Sequence, residues 1–194
     1  MTDTQHPNWF SQYADLYFER YLADFAGQPG LRFLQIGAYT GDATVWLFEH
    51  ILTGDDVVLT DVDTWQGSEE VAHVSIDFSD VERVYDERTS QFAANGRLVK
   101  FKGTSLSFFQ AAKNDLYDLI YIDGDHTTYG VLNDAVHAYP LLRDGGLLAF
   151  DDYKWQSGKG RLNDPAPAID AIADLYSDRL EKIEENLQVW FRRR

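Results

Sequence analysis

The chain has 194 residues, 44% hydrophobic and 25% charged, proportions that suit one globular domain and exclude a disordered or fibrous architecture. Its 32 acidic residues outnumber 17 basic ones, and the formal net charge of −15 repels phosphate backbones and anionic membranes, so neither nucleic acid nor a membrane is expected as a partner. The absence of cysteine excludes disulfides, zinc-thiolate sites and thiol nucleophiles, and the polar stretch Met1 to Pro7 lacks the features of a signal peptide, which makes the cytoplasm the expected location.

The first expected element is a helix over Trp9 to Phe25, within a helical extension at residues 1–30. Phe10, Tyr13, Tyr17, Tyr21 and Phe25 recur in it at helical spacing, forming an aromatic face for the core or for a second copy in a homo-oligomer. From Leu31 onward, short apolar runs alternate with helical stretches. Strands are predicted near Leu31 to Ile36, Val57 to Val62, Arg97 to Phe101, Leu119 to Ile122 and Leu147 to Phe150. Helices are predicted near Ala43 to Leu52, Ser79 to Ala94, Leu106 to Lys113 and Tyr129 to Leu142, with Asn95-Gly96 and Gly145-Gly146 marking stops and turns. A loop over Lys154 to Pro167 is either a lid over an acceptor or an ordinary surface loop, and a helix near Ala168 to Tyr176 follows. Arg179 to Arg193 then reads as two strands around a turn at Glu184 to Asn186. The expected architecture is a single α/β domain over residues 1–194, with a seven-stranded, mostly parallel sheet, helices on both faces and a C-terminal antiparallel hairpin.

The first strand runs into Gly37-Ala38-Tyr39-Thr40-Gly41 and then a helix. Glycines suit a sharp turn beneath a ligand, and a purely structural turn is an equal reading of this spacing. The dinucleotide fingerprint G-x-G-x-x-G is absent, which weakens a nicotinamide reading. At the end of the second strand Asp63, or failing it Asp61, can accept the hydroxyl protons of a ribose, a feature shared by S-adenosylmethionine and NAD. Gly103-Thr104-Ser105 after the third strand either approach an adenine or cap the next helix.

Two further strands end in acidic motifs, Asp123-Gly124-Asp125-His126 and Asp151-Asp152. Ligands in open α/β sheets sit at the carboxyl ends of strands, so Asp123, Asp151 and Asp152 are expected to share one crevice. Carboxylates gathered there repel one another unless a cation compensates, and oxygen donors point to Mg²⁺, with Mn²⁺ or Ca²⁺ as substitutes. His126, three residues beyond Asp123, is the candidate general base, and Asp125 is a candidate for the amino acid part of the cofactor.

Taken together, these motifs resemble known enzymes. Gly37-Ala38-Tyr39-Thr40-Gly41 is similar to the cofactor loop of catechol O-methyltransferase and its relatives. Asp123-Gly124-Asp125-His126, Gly145-Gly146 and Asp151-Asp152 resemble the metal-dependent sugar O-methyltransferases of macrolide biosynthesis, and the resemblance spans Leu31 to Tyr153. It implies a Rossmann-like class I methyltransferase fold, S-adenosylmethionine on Gly37 to Gly41, a metal on Asp123, Asp151 and Asp152, and His126 as base. Gln35 stands where the catechol enzymes carry glutamate, and His126 and Asp152 replace their lysine and asparagine, which favours the sugar-type enzymes. The expected activity is metal-dependent methylation of a hydroxyl on a small polyol, sugar or natural product. Its rivals are a catalytically silent adenosylmethionine-binding module and a nicotinamide-dependent oxidoreductase.

Overall fold

Five of the apolar runs form parallel strands: β1 (Arg32–Ile36), β2 (Val58–Asp63), β3 (Leu98–Lys102), β4 (Tyr117–Ile122) and β5 (Leu142–Phe150). The computed structural model describes residues 6–68, 73–112 and 115–194; Met1 to Gln5 and Lys113, where one predicted helix was to end, lie outside the described residues. Two further strands, β6 (Leu180–Glu185) and β7 (Val189–Arg193), form the C-terminal hairpin, and β7 pairs antiparallel with β5. The strand order is β3-β2-β1-β4-β5-β7-β6. Strand order along the sheet reverses between β1 and β4, so the chain continues from these two neighbours toward opposite faces of the sheet, and a crevice opens above their carboxyl ends.

Helices α1 (Ala14–Leu22), α2 (Asp42–His50) and α3 (Phe78–Ala94) pack on one face of the sheet through Phe18, Leu47, Val81 and Tyr85. Helices α4 (Ser105–Ala111), α5 (Thr128–Ala138) and α6 (Ala166–Leu175) cover the other through Phe108, Val131, Ile169 and Ile172. Strands buried on both faces account for the apolar runs in the sequence. Among the described residues no helix is long and apolar enough to cross a membrane.

Four local expectations change. The helix over Trp9 to Phe25 breaks at Tyr13 (φ −165°, ψ −24°) into a 3₁₀ turn at Phe10–Gln12, α1, and a second 3₁₀ turn at Ala23–Phe25. Its aromatic face closes on the molecule's own core, with Phe18 edge-on to Tyr121 at 4.9 Å and Tyr21 stacked on Trp190 at 5.2 Å. The helix expected to reach Leu142 stops at Ala138, where Pro140, lacking an N–H, gives a short 3₁₀ turn before β5. Gly145-Gly146 lies inside β5 rather than in a turn: the register passes from Tyr117↔Leu142 to Leu119↔Leu147, and Gly145 takes φ +79° in this bulge. The hairpin turn falls at Asn186–Gln188, because Glu184 and Glu185 pair with Trp190 and Val189 in the ladder.

Candidate active site

Strands β4 and β5 pair Ile122 with Phe150, so Asp123 and Asp151 leave the sheet side by side. Asp151 is buried and well supplied with donors. Its Oδ1 accepts from the Tyr13 hydroxyl (2.7 Å) and the Asp152 backbone N–H (2.7 Å), and its Oδ2 accepts from the Tyr121 hydroxyl and Gln188 Nε2 (3.0 Å). A carboxylate offers about four acceptor positions, and here all are taken. Asp152 adopts the left-handed conformation (φ +58°), a costly backbone state for a residue with a side chain. Its Oδ2 lies 3.2 Å from His126 Nε2, and Asp123 Oδ1 lies 3.5 Å from the same nitrogen.

Among the described residues, the acidic and histidine side chains whose donor atoms all lie within 4.8 Å of one another are Asp123, His126 and Asp152. This differs from the expected trio of Asp123, Asp151 and Asp152: Asp151 is the support beneath the cluster, its oxygens occupied by protein donors. Burial and then the Asp151 charge push the Asp123 carboxyl well above the usual carboxylate range, with the His126 hydrogen bond opposing. Burial and the neighbouring aspartates likewise push the Tyr13 and Tyr121 hydroxyls far up, which keeps both as donors.

The cluster opens into a cavity of about 940 Å³ that extends along the ends of β1, β2, β3 and β4. Gly37 (φ +88°) brings the β1 loop against the β4 loop so closely that a Cβ would lie 1.8 Å from the Asp123 carbonyl oxygen. Beyond it, the Ala38 and Tyr39 N–H groups donate to Asp63 Oδ2 (2.8 and 3.0 Å), and Trp65 N–H donates to Oδ1 (2.7 Å). Gln35 Nε2 donates to the Gly37 carbonyl (2.7 Å).

Of the two candidate ribose acceptors, Asp63 lines the cavity. Asp61 is fully buried, accepting from the hydroxyls of Thr44 (2.6 Å) and Tyr85 (2.8 Å), and burial pushes its carboxyl up to about 7 against those two hydrogen bonds. Thr40 and Gly41 serve the entry to α2: Thr40 Oγ1 donates to Asp42 (2.8 Å), Arg88 grips the Thr40 carbonyl, and Gly41 packs beneath Thr89 and Tyr85. Gly37, Ala38 and Tyr39 reach the cavity, as do Gly103, Thr104 and Ser105, while Thr104 also caps α4 by accepting from Ser107 N–H. Asp125 stands at the rim, its Oδ1 accepting from Thr127 N–H (2.9 Å), and only glycine at 130 leaves room for its carboxylate.

Tyr13, Tyr121 and Gln188 had not been expected at the site. Tyr121 carried a signal, since it lies in β4 two residues before Asp123. The other two are joined to the site only through the tertiary fold.

A family model described as a methyltransferase domain matches residues 34–153, which hold the glycine loop, Asp63 and the whole acidic cluster. The chain belongs to the methyltransferase-domain family. No curated protein matches it at a significant level. Among solved structures, this methyltransferase is similar to the O-methyltransferase from Bacillus cereus in complex with SAH, with a TM-score of 0.66 and 14% identity over 98% of this chain and 84% of that one. It is similar also to TomG from Streptomyces achromogenes, an O-methyltransferase involved in tomaymycin synthesis solved with SAM (TM-score 0.66, 12% identity, 98% and 82% covered). The N-methyltransferase NodS from Bradyrhizobium japonicum shares the fold as well (TM-score 0.60, 17% identity, 96% and 97% covered). The architecture is thus the Rossmann-like class I methyltransferase fold, hairpin included.

Proposed function

We propose that this methyltransferase moves the methyl group of S-adenosylmethionine to a hydroxyl of a small sugar, polyol or natural-product acceptor, with a divalent cation held by Asp123 and Asp152. The observation that carries the reading is the Asp123–His126–Asp152 cluster opening into a cavity bordered by the family's glycine loop. An N-methyltransferase shares the fold, so the acceptor atom has to be argued from the site. An amine attacks through its own lone pair, whereas a hydroxyl must lose a proton, and a proton acceptor beside a cation site serves the second chemistry.

The donor set fits the ion. The Asp152 charge adds to the upward push on the Asp123 carboxyl, a hard dication between the two relieves it, and Mg²⁺, Mn²⁺ and Ca²⁺ all match oxygen ligands. When bound, the cation lowers the pKa of a hydroxyl that touches it. His126 Nε2 takes the proton, and the Trp155 ring, 5.3 Å from the imidazole and edge-on to it, limits its rotation. Asp151 holds the Asp152 backbone through its N–H and is itself fixed by Tyr13, Tyr121 and Gln188. Holding an acceptor hydroxyl in line with the methyl group accounts for about 7–11 kcal/mol of a barrier in well-oriented systems, and this support keeps the cluster in place for it.

S-adenosylmethionine supplies the electrophilic methyl, and SAH and SAM are the ligands of the Bacillus and Streptomyces neighbours. The loop Gly37 to Tyr39 and the rim residues Asp123 and Asp125 would border its amino acid part, Asp63 would accept from its ribose, and Gly103 to Ser105 would approach its base. The stretch 154–167 is the lid on the acceptor side. Trp155, Ser157, Lys159 and Asn163 line the cavity, while Asp164 accepts from Ser157 and Thr128 bridges the Arg161 and Asp164 carbonyls.

The test is methyl transfer from labelled S-adenosylmethionine to a panel of sugars and vicinal diols, with Mg²⁺ and with EDTA. Transfer that stops in EDTA and returns with Mg²⁺ is expected. Cofactor binding without transfer to any acceptor would favour the silent module, and full turnover in EDTA would remove the cation from the mechanism.

A further inference from the structure

The proposed chemistry leaves the N-terminal wall of the cavity without a task. Trp9, Phe10 and Gln12 line the cavity, while Asn8, Ser11 and Gln12 are exposed, so residues 6–12 stand between the ligand space and solvent. Among the described residues, the backbone of this segment hydrogen-bonds only locally. Gln12 N–H donates to the Trp9 carbonyl (3.1 Å), Ser11 N–H to Asn8 Oδ1 (2.9 Å), and Tyr13 N–H to the Phe10 carbonyl. No ladder joins it to the sheet or to a helix.

Side chains hold the segment down at separate points. At its far end His6 Nε2 lies 2.8 Å from Asp80 Oδ2 on α3, and Asp80 Oδ1 is taken by Arg83 (2.6 and 2.9 Å). In its middle the Trp9 ring lies over Tyr39 of the glycine loop, 4.5 Å between centroids and 30° between planes, with the His73 ring 5.5 Å away. At its base Phe10 packs edge-on to Phe18 at 5.0 Å, and the chain breaks at Tyr13 before α1 begins. A segment fixed by a few side chains, with no backbone bonds to its surroundings, opens at a lower free energy than the fold as a whole. Opening of such a cover often limits ligand exchange in enzymes.

We propose that residues 6–12 are a strap latched over the cofactor loop by the His6–Asp80 contact, and that its release sets the rate at which cofactor and product exchange. The inference rests on the cofactor reading above.

The latch can be tested apart from the binding surface, because neither His6 nor Asp80 lines the cavity. Loss of a ligand contact raises the off-rate and weakens affinity, whereas loss of a gate raises the on-rate and off-rate together and leaves Kd in place. The measurement is surface plasmon resonance on the full chain with S-adenosylhomocysteine as the probe. His6→Ala should raise both rate constants about 3- to 10-fold, with Kd within about twofold. The chain contains no cysteine, so His6→Cys combined with Asp80→Cys gives a thiol pair that a short, reducible bis-maleimide can join. Joining should slow both rates at least about tenfold, and reduction of the linker in the same folded protein should restore them. Exchange at the wild-type rate through a joined strap overturns the proposal, and so does a rise in the off-rate alone in His6→Ala. Failure of S-adenosylhomocysteine to bind the unaltered chain would instead strike at the cofactor reading itself.

Discussion

Tyr13 donates to Asp151 Oδ1 at 2.7 Å and lies 3.2 Å from Asp152 Oδ1, across a sequence separation that no local pattern reveals. Tyr13→Phe removes one of four donors from a buried carboxylate, which should cost about 1–3 kcal/mol of stability in urea unfolding. Because Asp152 is held through Asp151, kcat should fall about tenfold or more while KM for the cofactor stays put; an unchanged kcat would deny Tyr13 its positioning role. His126 poses a sharper question, since one nitrogen cannot both bind a cation and accept a proton. His126→Ala should lower kcat about 10²–10⁴-fold and leave Mn²⁺ affinity within a few-fold, whereas Asp123→Asn should abolish both, as read by electron paramagnetic resonance of bound Mn²⁺. Equal loss of Mn²⁺ in the two variants would make His126 a ligand. The aspartates were legible in the sequence because each follows a strand directly. The identity of the trio was not, because the saturation of Asp151 depends on Tyr13 and Gln188, which lie far from it in the chain.

The β1-to-α2 turn was legible too, as a glycine loop after an apolar run, but its division of labour was hidden. Gly37 lies against the β4 loop and Gly41 against α3, so one short motif serves both the cavity and the packing. Gly37→Ala forces a side chain onto backbone 1.8 Å away at a φ of +88°, and should cost about 3 kcal/mol or more by thermal unfolding. Asp123 is displaced by the same collision, so cation binding should fail with the fold partly retained; a variant that melts and binds like the wild type would show that the contact relaxes freely. On the neighbouring strand, Asp61 links β2 to α2 and α3 through Thr44 and Tyr85. Its folded carboxyl is raised to about 7 from an ordinary 3.8, so the folded protein holds a proton that the unfolded chain releases. Its stabilising contribution is present below about pH 4 and is lost as pH rises to about 7, by up to about 4 kcal/mol. Asp61→Asn should therefore flatten the decline in stability between pH 4 and 7 relative to the wild type; identical slopes would show that Asp61 is ionised throughout. The strands themselves were readable as runs buried on both faces. The bulge at Gly145, the break at Tyr13 and the hairpin register were not, since each is settled by what the neighbouring strand or the acidic cluster requires.

A net charge of −15 sets a background against which the acidic cluster has to be judged. Diffuse repulsion among surface acids is screened by any salt, whereas a cation site answers to divalent ions at low concentration. Thermal melting distinguishes them. A ligand at 100 times its Kd adds about 2.7 kcal/mol to the stability of the folded state, which for a domain of this length is a rise of about 5–10 °C. Mg²⁺ and S-adenosylhomocysteine should each raise the midpoint, at constant ionic strength held with NaCl. Asp123 contributes its carboxylate to the acidic cluster and its backbone to the contact with Gly37, so under the proposed function the cation and the cofactor would share a wall. Ligands that order the same loop bind cooperatively, and together they should raise the midpoint by more than the sum of their separate effects. Asp123→Asn should abolish the Mg²⁺ shift and the excess and reduce, without abolishing, the shift from the nucleoside, whose ribose and base contacts it leaves in place. If NaCl alone reproduces the Mg²⁺ effect, the cluster is only part of the screened surface charge; if the nucleoside produces no shift at any concentration, the cavity along β1 to β4 does not hold the cofactor.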